Sequence, residues 1–203
     1  MSRRKVSNPL ALAALACLYE RPMHPYEIAS TLRERHKDES IKLNYGSLYS
    51  VVEALKAHAL ITEQQTARQG NRPERTVYEI TDAGRLELID WLSELLCRPM
   101  KEYTRFEAGL SLVPVLPPDD VKALLEERCR RLEVEIEQYN ALRKVVSQGS
   151  NKVPRLFLIE SEYRITLRQA ELSWTRALIE DLATGKLEGM AEWRRFQEQS
   201  GRG

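Results

Sequence analysis

The chain is poor in the residue types that announce most chemistries. It has three cysteines in 203 residues, Cys17, Cys97 and Cys129, odd in number and far apart. That excludes a disulfide framework and any CxxC metal or redox site, and it fits a reducing cytoplasm. The three histidines, His24, His36 and His58, show no HxxxH or HExxH spacing, so no metal is expected. No apolar run approaches the ~18 residues that a membrane helix needs, so no membrane partner is expected. Met1-Ser2-Arg3-Arg4-Lys5 leads into a short amphipathic segment, without a signal-peptide core. Charge of one sign is also lacking: 31 Lys and Arg stand against 30 Asp and Glu. With no global field, any polyanion-binding face must come from local arrangement. No acid pair and no Ser-His-Asp set stands out, so neither an enzyme nor a cofactor is expected.

What is present is an ordinary globular balance, 42% hydrophobic and 30% charged, which argues against wholesale disorder. The length suits one domain or two small ones. Residues 1–85 hold 13 basic and 10 acidic side chains, a difference of +3, and residues 86–203 hold 18 and 20, a difference of −2. The positive excess therefore lies in the N-terminal part.

Asn8-Pro9 supplies an N-cap and a first-turn proline for a helix to Glu20, with Leu10, Leu12, Leu15, Cys17 and Leu18 apolar. Arg21-Pro22-Met23-His24 breaks it, and Pro25 opens a second helix to about His36. Asn44 can cap a third helix, Tyr45 to about His58, with Leu48, Val51, Val52 and Leu55 inward. The period then changes. Leu60–Thr66 and Thr76–Ile80 read as two strands around a loop punctuated by Gly70, Asn71 and Pro73, a β-hairpin. Thr81 caps a fourth helix to about Cys97, with Leu86, Ile89, Leu92 and Leu96 expected inward.

Beyond Arg98-Pro99 the pattern predicts a short helix around Tyr103–Leu110 and then two long ones. The first starts at Pro118-Asp119-Asp120, where two acids suit the positive end of the helix dipole, and runs to about Ser147. Leu125, Leu132, Tyr139 and Val146 recur every seven residues, with Cys129, Ile136 and Leu142 between, a coiled-coil-like seam. The second runs from about Pro154 to Thr184 and stops at Gly185. Leu156, Tyr163, Ala170 and Ala177 repeat at seven, with Leu167 and Trp174 alongside. A further short helix with Trp193 and Phe196 is expected in the tail.

Helix, helix, helix, hairpin, helix within about 90 residues is a winged helix-turn-helix layout. The expected fold class is thus mostly α (α+β): residues 1–98 a winged helix-turn-helix DNA-binding domain, residues 99–203 a helical dimerisation domain. A third helix of this length fits the DNA major groove, where base edges present distinguishable donor and acceptor patterns. Its outward side offers Tyr45, Ser47, Tyr49 and Ser50, with Asn44 at its start. Arg68, Arg72 and Arg75, with Asn71, sit on the hairpin loop, and Arg3, Arg4 and Lys5 on the N-terminal arm. Cations that neutralise phosphates release counterions and make affinity salt-sensitive. Leu125, Leu132, Ile136, Tyr139, Leu167 and Trp174 are the expected dimerisation residues.

Asn44-Tyr45-Gly46-Ser47-Leu48-Tyr49, continuing through Leu55 to Leu60-Ile61, resembles the recognition-helix signature of the PadR family of transcriptional regulators. Gly70-Asn71-Arg72-Pro73 followed by Thr76-Val77-Tyr78-Glu79-Ile80-Thr81-Asp82-Ala83-Gly84 resembles that family's wing and the start of its fourth helix. Met23-His24-Pro25-Tyr26-Glu27-Ile28 resembles its second-helix start. Together these span about residues 8–95. Ser50 stands where the family often has Pro. Ala59 replaces the usual Gly before Leu60-Ile61, which calls for a different backbone conformation in the turn out of helix 3. The resemblance implies a dimeric, repressor-like regulator whose paired helices read a palindromic double-stranded DNA operator. It also implies that a small molecule, often aromatic, relieves repression in some members.

Each feature has a plainer reading. Asn44 is a natural N-cap, and Tyr49 can be a packing aromatic. Trp91, Trp174 and Trp193 read as helix-packing anchors more readily than as ligand-stacking groups. Cys17 and Cys129 read as buried small side chains. The rival function is a helical protein-interaction adaptor that uses a winged-helix fold without binding DNA, supported by the near-zero total charge.

Overall fold

The computed structural model describes residues 6–64, 76–147 and 152–200. Arg3, Arg4, Lys5, Arg68, Asn71, Arg72 and Arg75 lie outside these residues. The described chain is mostly helical with one two-stranded antiparallel sheet, and it falls into two compact units, Met1–Lys101 and Glu102–Gly203.

The first unit is built around α1 (Pro9–Glu20). The Asn8 Oδ1 accepts from the Leu10 N–H at 2.9 Å, and Pro9 occupies the first turn. Leu10, Ala11, Ala13, Ala14, Leu15, Cys17 and Leu18 are all buried. A helix apolar on most of its circumference must be surrounded, and α1 packs against α2 (Pro25–Glu34), α3 (Tyr45–Ala57), β2 (Val77–Ile80) and α4 (Asp82–Cys97). His24 starts α2 with a reciprocal cap. Its Nδ1 accepts from the Tyr26 N–H at 3.0 Å, and its own N–H donates to Glu27 Oε2 at 2.9 Å. Strand β1 (Ile61–Gln64) pairs with β2 in the register Ile61↔Ile80 to Gln64↔Val77. Met23 adds an isolated bridge to Tyr78, with both N–H···O distances 3.0 Å.

The turn out of α3 departs from the sequence expectation. Ala59 adopts the left-handed conformation, φ 56°, that glycine would take. The Leu60 N–H bonds the Leu55 carbonyl at 3.0 Å and the Ala59 N–H the Lys56 carbonyl at 2.9 Å, a Schellman ending with Ala59 where glycine usually stands. The tertiary fit of the next turn holds an alanine in a region that costs a side chain about 1–2 kcal/mol.

That next turn is tight. The Leu60 carbonyl accepts from the Thr81 N–H at 3.0 Å, and the single proton of the Thr81 hydroxyl is shared between the carbonyls of Ala59, at 2.8 Å, and Leu60, at 3.0 Å. Thr81 Oγ1 in turn accepts from the Gly84 N–H at 3.0 Å and caps α4. A Cβ on Gly84 would lie 2.0 Å from the Leu60 carbonyl oxygen and 2.8 Å from Ile80 Cγ1. Glycine is therefore required there by close approach, with no unusual φ.

Gly84 also decides which side of α4 faces the core. Leu88 and Trp91, four and seven residues on, share its face and are buried. Leu86, Ile89, Leu92 and Leu96, expected inward, are exposed, Leu96 to 87%. Counting branched aliphatics selected the wrong stripe, because the helix is oriented by its smallest residue.

In the second unit α5 (Arg105–Leu110) precedes an antiparallel pair, α6 (Pro118–Ser147) and α7 (Ile159–Thr184). From α6 the buried residues are Val121, Leu125, Cys129, Leu132 and Ile136; from α7 they are Ile165, Leu172, Thr175 and Leu182. The residues that repeat at seven, Tyr163, Ala170 and Ala177 of α7 and Leu156 in a short turn ahead of it, face solvent. Ion pairs link the two helices at Arg128–Glu171, Glu133–Arg176 (2.5 Å), Glu135–Arg168 (3.1 Å) and Arg143–Glu162 (2.9 Å). Gly185 ends α7 with φ 69°. Helix α8 (Met190–Ser200) is pinned by the buried Trp193, whose indole N–H donates to the Leu116 carbonyl at 2.8 Å.

Two opposite responses are expected in thermal or denaturant melts. Ala59→Gly relieves the left-handed strain and, after glycine's entropy cost, stabilises by roughly 0.5–1 kcal/mol. Gly84→Ala drives a methyl into the Leu60 carbonyl and destabilises by about 2 kcal/mol or more. Unchanged melts for both would contradict the junction described.

Thiol reactivity gives a second check. Burial pushes the Cys17 thiol up to about 11, with a lesser lowering by the Arg35 charge and a lesser raising by Glu20, whereas Cys97 is exposed. The unfolded thiol ionises first as pH rises. The stability contributed by keeping Cys17 neutral is therefore full below the ordinary thiol value and lost on approach to about 11. In the native protein at pH 8 a thiol reagent should label Cys97 rapidly and leave Cys17 unmodified until denaturant is added.

Candidate nucleic-acid interface

Leu48, Val51, Val52 and Leu55 of α3 are buried, so the helix turns its other side outward. Tyr45, Tyr49 and Ser50 are exposed there and Ser47 is half-buried. Tyr49, 47% exposed, presents a phenol to solvent. Ser50 Oγ donates to the Gly46 carbonyl at 3.0 Å, which spends its proton and leaves its lone pairs for an external donor. Asn44 is committed as a cap: its Oδ1 accepts from the Ser47 N–H at 2.7 Å, leaving the side-chain amide as donor.

Tyr45 is engaged on its own protein. Tyr26 of α2 stacks on it, with ring centroids 6.0 Å apart and planes 12° apart. The Arg33 guanidinium lies 4.5 Å from the Tyr45 ring centroid and donates to its phenol oxygen. The sequence reading passed over both α2 residues. Their signal is spacing: positions 26 and 33 differ by seven and share a helix face.

The hairpin is tied to α3 rather than merely following it. Lys56 of α3 pairs with Glu63 of β1 at 2.5 Å, and the buried Tyr78 phenol donates to Glu53 of α3 at 3.4 Å. Burial, then the Glu53 charge, raises the Tyr78 phenol above its ordinary value. The loop between the strands, with Arg68, Asn71, Arg72 and Arg75, and the arm with Arg3, Arg4 and Lys5 lie outside the described residues.

The residues expected at a dimer seam divide. Leu125, Leu132 and Ile136 are at most 8% exposed and are covered by packing within their own chain, so they offer no surface to a second one. The physical reason is that α7 follows α6 closely enough to fold back and fill the seam itself. Tyr139 is half-buried and accepts from Arg164. Leu167 and Trp174 are each 50% exposed. Trp174 meets Phe106 edge-on at 6.2 Å, and Arg128 stacks 3.6 Å over Phe106. Trp91 belongs to the core of the first unit. Among the described residues no group of three or more His, Cys, Asp or Glu side chains is placed to hold a metal ion, and no helix is long and apolar enough to cross a membrane.

Three packed helices, a hairpin anchored to the third, and a fourth helix locked under the turn between them make the first unit a winged helix-turn-helix. Over residues 14–90 the chain matches the Transcriptional regulator PadR-like family, and this stretch is a PadR-like domain. No curated protein matches the chain. Among solved structures it is similar to Bacillus subtilis PadR in complex with operator DNA: 20% identity, 86% of this chain and 99% of that one covered, TM-score 0.61. The same protein in complex with p-coumaric acid aligns at 17% identity over 86% of this chain and 98% of that one, TM-score 0.64. The Vibrio cholerae virulence activator AphA aligns at 18% identity over 86% and 98%, TM-score 0.60. Both units of the chain thus have the fold of these regulators.

Removing the α3 cap separates its two readings. Asn44→Ala should cost about 1 kcal/mol in unfolding free energy, and Asn44→Asp or Ser should recover most of it. A melt insensitive to all three would remove the capping role.

Proposed function

We propose that the chain is a sequence-specific DNA-binding transcriptional regulator, a cytoplasmic repressor that acts as a homodimer on a palindromic operator. The observation that carries this reading is the outward face of α3, aromatic and hydroxylic at its start and held by a wing, within a PadR-like domain. In this reading residues 1–98 bind DNA. Ser47, Tyr49 and Ser50 approach the major groove, with Tyr45 beside them at the start of α3, and Arg68, Asn71, Arg72, Arg75, Arg3, Arg4 and Lys5 meet the backbone, where contacts position the protein without reading sequence. Residues 99–203 pair two copies. The stripe of Tyr163, Leu167 and Trp174, left outward by the α6–α7 packing, is the surface a second chain would cover. A dimer sets two recognition helices about one DNA turn apart.

The complexes of the Bacillus subtilis protein with operator DNA and with p-coumaric acid support a DNA operator and a small aromatic acid as ligands. An effector would act by shifting the population of dimer geometries in which both half-sites can be reached.

The deciding experiment is selection of bound sequences from a random duplex pool, followed by affinity measurements over a salt series. A recovered palindrome and a steep fall of affinity with salt are expected. Arg72→Ala should weaken operator and random DNA by about the same factor, while changing Ser47 should reorder preference among operator variants. No enrichment and no salt dependence would defeat the proposal and favour a protein-binding adaptor.

A further inference from the structure

We infer that Arg33, on α2, is a phosphate-binding residue of the DNA interface, held in place for that role by the side chain of Tyr45 at the start of α3. The inference rests on the DNA-binding reading above and extends the interface to a helix that the sequence had not assigned to it.

The arginines that flank α2 are matched to carboxylates. Arg35 gives both terminal nitrogens to the Glu20 carboxylate, at 2.5 and 2.7 Å, and the Glu20 carboxyl is held below its ordinary value by that hydrogen bond. Arg21 lies 3.7 Å from Glu27. Glu34, the acid beside Arg33, is engaged by the Ser30 hydroxyl at 3.0 Å. Arg33 is treated differently. Its recorded partners are the ring and the phenol oxygen of Tyr45, both uncharged. Among the described residues it forms no ion pair, so its charge is oriented without being neutralised.

The chemistry of that contact matters. A guanidinium is planar, carries five donors in a rigid fork, and stacks on aromatic faces with little loss of hydration. One nitrogen is spent on the phenol, which leaves the rest of the fork for an anion. The side chain is exposed and fixed against the first residue of the helix that would enter the groove. Tyr26 stacks on the same ring and restricts it further. In a helix-turn-helix the helix preceding the reader crosses the sugar-phosphate backbone, so the anion within reach is a phosphodiester. Tyr45 is a positioning residue in this arrangement.

The test uses the full chain, the selected operator, and a random duplex of equal length, with affinity read by fluorescence anisotropy across a salt series. Arg33→Ala should weaken both duplexes by a similar factor, about tenfold, and reduce the slope of log affinity against log salt by about 0.9, the share of one phosphate. Arg33→Lys keeps the charge and should retain the slope while losing part of the affinity. Tyr45→Ala should lower affinity with little added effect on top of Arg33→Ala, and Tyr45→Phe, which keeps the ring, should recover most of that loss. Melting temperatures of the variants guard against unfolding as the cause. If Arg33→Ala folds and leaves both affinity and slope at the parent values, Arg33 only pins α2 to α3 and the inference is overturned. Loss on the operator alone overturns it too, since that would mark a base contact. If the parent protein itself shows no salt-dependent DNA binding, the functional reading fails and the inference goes with it.

Discussion

The carbonyl oxygen of Leu60 is where α3, the β-hairpin and α4 meet. It accepts from the Thr81 N–H and shares the Thr81 hydroxyl proton with the Ala59 carbonyl, and the missing side chain of Gly84 lets α4 lie directly against it. A half-buried carbonyl at a three-way junction is thereby satisfied, which avoids the penalty of an unsatisfied acceptor. The rest of the first unit inherits its geometry from this contact. The end of α3, the start of β1 and the first turn of α4 become one rigid piece, and the strain at Ala59 is the local cost.

With that junction rigid, the free end of α3 is the end that can do something. Its C-terminal part is tied to the wing through Lys56–Glu63 and Glu53–Tyr78, while its first two turns carry the exposed Tyr45, Tyr49 and Ser50. Anchoring one end of a helix and presenting the other suits recognition, because a reading surface must arrive already ordered if its contacts are not to be spent on ordering it. The second unit follows a complementary logic. Two long helices satisfy each other along one face and keep a half-exposed apolar stripe on the other.

Much of this was legible in the sequence where the signal is local. Caps at Asn8, Asn44 and Thr81, the stops at His58 and Gly185, and the α6 bounds follow from residue chemistry within a turn or two. What was not legible depends on tertiary fit. The α4 stripe was misread because Gly84 contributes nothing to a count of apolar residues, yet it faces the core. The α7 stripe was misread because a heptad repeat states that a face is apolar without stating which of two such faces is covered by the neighbouring helix. The Ala59 turn kept the left-handed backbone because Leu60 has to reach Thr81. Arg33 shares a helix face with Tyr26, but that spacing alone does not say that both meet one aromatic ring on another helix.

The rungs between α6 and α7 carry one more consequence. Their polarity reverses along the pair: α6 offers cation at Arg128, anion at Glu133 and Glu135, cation at Arg143, and α7 answers with the opposite sign at every rung. Sliding one helix along the other would bring guanidinium to face guanidinium. Charges flanking an apolar seam select alignment more than they add strength. The second unit therefore behaves as a ruler with a single graduation, whose length is set by sign matching even where the apolar layer alone would tolerate slippage.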